Sequence, residues 1–195
     1  MILVCTEGKE TEKAFLKQVM KVSHISTGIV RFRVKQGAHQ TLINNCVKQR
    51  TEMITAEHIA EDDIEVWAMC DRDSFKGKYS DLKKYADTNN VRLAFSSPQF
   101  ESFIIQLFVE FKRDYKGKKL EGELSKYLKR TILRDGRVLG NSYNKTDLKW
   151  VSKLLDEKPS MLNAAIKNAN KSNNQTKEPF LTVQDLIKRI LQFKP

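Results

Sequence analysis

Cysteine is scarce in this chain. There are three, Cys5, Cys46 and Cys70, an odd number with no Cys-x-x-Cys pair among them. That argues against both a disulfide framework and a thiolate zinc site, and it fits a reducing cytoplasm. Histidine is equally sparse: His24, His39 and His58 share no ligand spacing with one another or with a cysteine, and read as surface or helix-end residues. No apolar run approaches the roughly 20 residues needed to span a bilayer. The apolar Ile2, Leu3 and Val4 behind Met1 are too few for a signal-peptide core, so a cytoplasmic protein without a membrane partner is expected. Gly8 and Gly77 belong to no Gly-x-Gly-x-x-Gly or Walker pattern, so the chain offers no nucleoside-triphosphate cradle of its own. Internal repeats and low-complexity tracts are missing as well.

What is present is charge and a regular alternation of elements. The 195 residues carry a formal net charge of +11, with 40% hydrophobic and 30% charged residues. That describes a globular protein long enough for one full domain with a core and a small appendage. The excess of cations favours a polyanionic partner, nucleic acid before an anionic membrane. Apolar or alternating runs at 2–5, 29–34, 64–70 and 91–96 read as strands. Helical spacing follows from residue 11 through Ala14, Phe15, Val19 and Val22, over 41–60, around 81–88 and over 101–111. Four strands alternating with helices predict an α/β domain with a largely parallel sheet over residues 1–111.

Beyond residue 111 the composition shifts. Residues 112–158 hold 14 Lys or Arg against 7 Asp or Glu, +7 of the total +11. One helix is predicted with Leu120, Leu124, Tyr127, Leu128 and Ile132 as its apolar face. A turn-rich stretch at 134–144 follows, then helices at 147–156, 160–170 and 183–191, with a polar linker at 171–177. Residues 112–195 therefore read as a basic helical extension packed on the α/β domain. Tyr115, Tyr127, Tyr143 and Trp150 lie among its lysines. They suit base stacking, although Tyr127 and Trp150 are read first as core anchors of their helices.

The strand at 64–70 runs directly into Asp71, Arg72 and Asp73. In open α/β sheets, strand ends of this kind are where ligands bind. Two carboxylates there stay charged together only if a cation or basic group neutralises them; magnesium, a hard ion preferring oxygen ligands, is the default. A loop in which the aspartates act only as caps is the plainer alternative. Glu7 follows the first strand as Asp71 follows the third. If those strands are neighbours, about 4.8 Å apart, Glu7, Asp71 and Asp73 meet at one rim. Glu101, just after the fourth strand and Pro98, belongs to the same rim. Glu12 and Glu101 also have a structural explanation, since helix N-termini attract carboxylates.

The order of three motifs resembles that of RloB-like proteins, which belong to the TOPRIM superfamily of topoisomerase, primase and nuclease domains. The first is Cys5, Thr6, Glu7, Gly8, Lys9, Glu10, Thr11 and Glu12. The second is Asp71, Arg72 and Asp73, and the third is Ser97, Pro98, Gln99, Phe100, Glu101, Ser102 and Phe103. Tyr143, Asn144 and Lys145 resemble a later Tyr-x-Lys motif. The resemblance implies a four-stranded, mostly parallel TOPRIM-like sheet. It makes Glu7 a general acid or base and places magnesium, or manganese, on Asp71 and Asp73 with Glu7. Phe75 stands where some TOPRIM enzymes carry a third aspartate, so a second ion would draw on Glu101 or on substrate phosphates. Thr6 separates Cys5 from Glu7 where the family often has Cys and Glu adjacent.

These features together imply a magnesium-dependent nuclease hydrolysing phosphodiester bonds of RNA (tRNA included) or DNA. Glu7, Asp71, Asp73 and Lys145 would be catalytic, and Lys9, Arg72 and Tyr143 would contact substrate. Family members resemble effectors of prokaryotic anti-phage defence paired with a separate ATPase, and self-association is left open. Two other readings are carried. One is a nucleic-acid-binding adaptor with a degenerate TOPRIM site, kept alive by Phe75. The other is a haloacid-dehalogenase-like phosphatase, suggested by Asp71-x-Asp73 and by Phe95, Ser96 and Ser97, but short of the later acidic pair such enzymes need.

Overall fold

The computed structural model describes residues 1–72, 75–172 and 179–195. Its centre is a sheet of β1 (Ile2–Thr6), β2 (Val30–Arg33), β3 (Glu65–Asp71), β4 (Arg92–Ser97) and β5 (Phe180–Leu181) in the order β2-β1-β3-β4-β5. The first four are mutually parallel; β5 runs antiparallel to β4. Every residue of β1 and the middle five of β3 are buried. Strands covered on both faces read as continuous apolar runs, which is why they were legible. Successive side chains go to opposite faces. Ile2, Val4, Trp67 and Met69 join the core under α1 (Thr11–Val22). Leu3, Cys5, Val66, Ala68 and Cys70 join the one under α2 (His39–Glu57) and α3 (Tyr79–Thr88).

The other helices are α4 (Glu101–Ile104), α5 (Gly117–Arg130), α6 (Lys149–Glu157), α7 (Ser160–Lys171) and α8 (Val183–Leu191). They lie on the α1 side and share its core. Leu120, Leu124 and Leu128 form the buried face of α5. Trp150 is buried in α6, as expected of an anchor, and Tyr127 packs partly buried against the same core. No helix among the described residues is long and apolar enough to cross a membrane.

Three expectations need correction. The sheet has five strands rather than four. β5 comprises only Phe180 and Leu181, too short for alternation to show, and it adds to the free edge of β4. The helix expected over 101–111 stops at Ile104 and gives way to a 3-10 turn at Ile105–Leu107. There the fully buried Gln106 side chain bonds both main-chain groups of Phe111, donating to its carbonyl at 2.9 Å and accepting from its N–H at 3.1 Å, which folds the chain back. Ile132 is not on the apolar face of α5. The helix ends at Arg130, and Ile132 stands 58% exposed opposite Val138 in a short antiparallel bridge. The linker expected at 171–177 lies outside the described residues except for Lys171 and Ser172, which end and follow α7.

Candidate active site

The C-terminal ends of β1, β3 and β4 form one rim. The β1–β3 register pairs Cys5 with Ala68 and Thr6 with Met69, and the Glu7 N–H continues the ladder to the Met69 carbonyl at 3.1 Å. Asp71 closes β3 opposite Ser96 of β4, and the Arg72 N–H bonds the Ser96 carbonyl at 2.8 Å. The half-buried carboxylates of Glu7 and Asp71 thus leave adjacent strands one register step apart.

A third carboxylate joins them. Glu12, in the first turn of α1, is only 6% exposed. Its side chain folds back over Gly8, where an added Cβ would stand 2.5 Å from Glu12 Oε2. Glycine at that position makes the approach sterically available. Burial raises the Glu12 carboxyl above its ordinary value, its own N–H lowers it, and the charges of Glu101 and Glu7 raise it further. Burial, then Glu7, Asp71 and Glu12, likewise hold the Cys70 thiol well above its usual range. Sequence reasoning assigned Glu12 to helix-end electrostatics. The signal available to it was the spacing from Gly8, which lets a residue four positions on reach back over the loop.

Glu101 is 3% exposed at the first position of α4. Its neighbours Phe100 and Phe103 pack edge-on against Phe15 of α1, at 5.5 and 5.8 Å between ring centroids, and so pin the short helix. Three donors converge on its carboxylate. Gln99 Nε2 donates to Oε2 at 2.8 Å, the Tyr143 hydroxyl donates to Oε1 at 3.0 Å, and Lys145 Nζ lies 3.4 Å from Oε1. Lys145 also pairs with Glu121 Oε1 of α5 at 3.1 Å. Burial pulls the Lys145 ammonium down, but Glu101 and Glu121 outweigh it and the net shift is upward. Burial and then the Glu101 charge push the Tyr143 phenol far up, so it stays a donor. Gln99 Oε1 in turn accepts the Gly117 N–H at 2.8 Å, linking Glu101 to the first residue of α5. Thr11 Oγ1 donates to the Lys145 carbonyl at 3.4 Å, tying the Tyr-x-Lys segment to α1.

The structure therefore brings Glu7, Asp71, Glu101, Tyr143 and Lys145 to one end of the sheet and adds Glu12. Arg72 is half-buried in the loop behind Asp71, and its carbonyl accepts the Phe75 N–H at 2.6 Å. Lys9 is exposed and pairs with Glu10 at 3.8 Å. Asp73 lies outside the described residues. His39, read from sequence as a surface or helix-end residue, is indeed the first residue of α2, yet its Nε2 lies 3.2 Å from the Asp71 carbonyl oxygen.

Among the described residues no three His, Cys, Asp or Glu side chains are arranged to hold a metal. The donors present are nevertheless of the kind a hard cation prefers. Burial is the main cause of the upward shifts of Glu12 and Cys70, and the neighbouring carboxylates add to it a negative charge that a cation at Glu7 and Asp71 would relieve.

The class these features define is an α/β protein with a carboxylate-rich rim at the ends of parallel strands. The model of the family described as RloB-like protein matches residues 2–190. This chain belongs to the RloB-like family. No curated protein and no solved structure matches it.

Proposed function

We propose that this chain is a metal-dependent nuclease with a TOPRIM-type site, an effector of anti-phage defence that works with a separate ATPase. The observation that carries the reading is the gathering of Glu7, Glu12, Asp71 and Glu101 at one rim in a member of the RloB-like family with a net charge of +11. Asp71, Asp73 and Glu7 would hold a magnesium or manganese ion, which when bound neutralises charge on the phosphate and on the leaving oxygen. Glu7 takes a proton from the attacking water or gives one to the leaving oxygen. Lys145, held by Glu101 and Glu121 with its ammonium half exposed, contacts the phosphate. Lysines and arginines over residues 112–158, with Arg72 and Lys9, grip the backbone of RNA or DNA, a salt-sensitive and largely sequence-blind attachment.

A second reading, a nucleic-acid-binding adaptor, draws on Glu101: both of its oxygens already accept side-chain donors from Gln99, Tyr143 and Lys145. One experiment separates the two. The protein is incubated with a mixture of tRNA, other RNA and DNA plus Mg²⁺ or Mn²⁺, with and without the ATPase. The nuclease reading expects metal-dependent cleavage that Asp71→Ala and Glu7→Gln each reduce by about 100-fold or more, with circular dichroism unchanged. Nucleic-acid binding that ignores both metal and these substitutions, without cleavage, is the adaptor's signature.

A further inference from the structure

His39, at the start of α2, and Phe75, beyond β3, meet beside Asp71 at the acidic rim. Lys35, Gly37 and His39 all have positive φ, at 58°, 80° and 52°. Side chains with a Cβ occupy that left-handed region at a steric cost, and such outliers gather at functional positions. Here the cost delivers the His39 ring to Asp71, with Nε2 3.2 Å from its carbonyl oxygen. The same ring stacks on Phe75 at 4.5 Å between centroids and 26° between planes. Phe75 is seated from below. It packs against the core under α2, and its ring lies so close over Gly77 that a Cβ there would stand 2.5 Å from Cζ. Both rings are only half-buried, so each keeps part of its surface in solvent. The chain near the two rings also carries Lys35, Lys76 and Lys78, all exposed.

An anchored aromatic pair among exposed lysines has the make-up of a single-strand groove. The π-face takes any base and the cations follow the backbone. Resting on the nuclease reading above, we propose that the His39–Phe75 pair is a stacking platform for a nucleobase of single-stranded RNA or DNA, beside the phosphate presented to Glu7 and Asp71. A base must leave its own stack to land there. The substrate class is therefore a single-stranded loop, end or bulge rather than an intact duplex, and the choice of base matters little.

The test uses a short single-stranded RNA and its DNA counterpart, each with one 2-aminopurine. Calcium replaces magnesium so that binding is read without cleavage. The expected result is quenching of 2-aminopurine on binding to the wild-type protein, about tenfold weaker binding by Phe75→Leu, wild-type binding by Phe75→Trp, and weaker binding of the same sequence as duplex. Leucine keeps the volume under the ring filled, and circular dichroism checks the fold. Affinity of Phe75→Leu within about twofold of wild type, or an unquenched wild-type complex, overturns the platform. The two proposals fail separately. Quenching and Phe75-dependent affinity without any metal-dependent cleavage keep the platform and sink the nuclease. Cleavage with affinity indifferent to Phe75 does the reverse.

Discussion

Replacing Glu101 by glutamine exchanges an acceptor of three donors for a side chain with one acceptor oxygen. If the new carbonyl faces Tyr143 and Lys145, the new NH₂ group meets the NH₂ of Gln99. Gln99 cannot turn over without abandoning the Gly117 N–H that its own oxygen accepts at 2.8 Å. If the glutamine is reversed, its NH₂ group faces the Lys145 ammonium, which is worse. One buried donor therefore loses its partner, a cost of about 1–3 kcal/mol. Lys145 is 49% exposed and screened by solvent, so the weakened ion pair adds at most about 1 kcal/mol. The sum is about 1–4 kcal/mol, and at about 2–4 °C per kcal/mol for a chain of this size the melting temperature should fall by between about 2 and about 16 °C. Thermal unfolding by circular dichroism or calorimetry at neutral pH reads this directly. Tyr143→Phe, which removes a single donor, should cost less, about 1–2 kcal/mol. The double variant should depart from the sum of the two, because both substitutions act on one hydrogen-bonded network. A melting temperature for Glu101→Gln within about 2 °C of wild type refutes the convergence of donors, and so does strict additivity.

Two further predictions come from titration. The Tyr143 phenol and the Lys145 ammonium both hold their protons more tightly when folded, so stability is complete below their ordinary values of 10.0 and 10.5 and falls as pH rises beyond them. A melting curve series from pH 8 upward should decline from about pH 10, and Tyr143→Phe should blunt that decline. Glu12 is raised by burial and by its acidic neighbours, so its charge opposes folding at neutral pH: its favourable share is present below the ordinary value of 4.5 and lost as pH rises through the folded value. Glu12→Gln should therefore melt higher than wild type at pH 7 and lose that advantage in acid, and a lower melting point at pH 7 would contradict the account.

Much of the sheet was legible because β1 and β3 are buried on both faces and written in near-continuous apolar residues, while the half-buried β2 alternates apolar and basic residues. The segments read at 2–5, 29–34, 64–70 and 91–96 correspond to β1 to β4 with no end shifted by more than one residue. β5 escaped because two residues carry no period. The 101–111 helix was overextended because periodicity cannot separate a continuing helix from a buried turn held by one glutamine side chain. Ile132 was misplaced because helical spacing runs past Arg130, whereas the chain bends where the Thr131 hydroxyl takes the Tyr127 carbonyl at 2.8 Å. At the rim, Glu7, Asp71 and Glu101 were found from their places after strands. Tyr143 and Lys145 needed the motif, since 42 residues separate the phenol from the carboxylate it meets. Glu12 and His39 were passed over because each had an ordinary local explanation, and only the folded loops direct them inward.

The short β5 also governs the order in which the molecule can be finished. Phe180 and Leu181 pair with Ser97 and Ser96. Thr182 completes the seal, its N–H reaching the Phe95 carbonyl at 2.9 Å while its hydroxyl accepts the Phe95 N–H at 2.8 Å and donates to the Leu93 carbonyl at 3.1 Å. During synthesis β1 to β4 are complete more than eighty residues before this seal is made. Over that interval the nascent sheet presents an open strand edge, the feature most prone to pair with another chain. A polypeptide stalled or truncated before residue 180 would carry the acidic rim residues Glu7, Asp71 and Glu101 together with an unsealed edge, a form suited to aggregation rather than to chemistry.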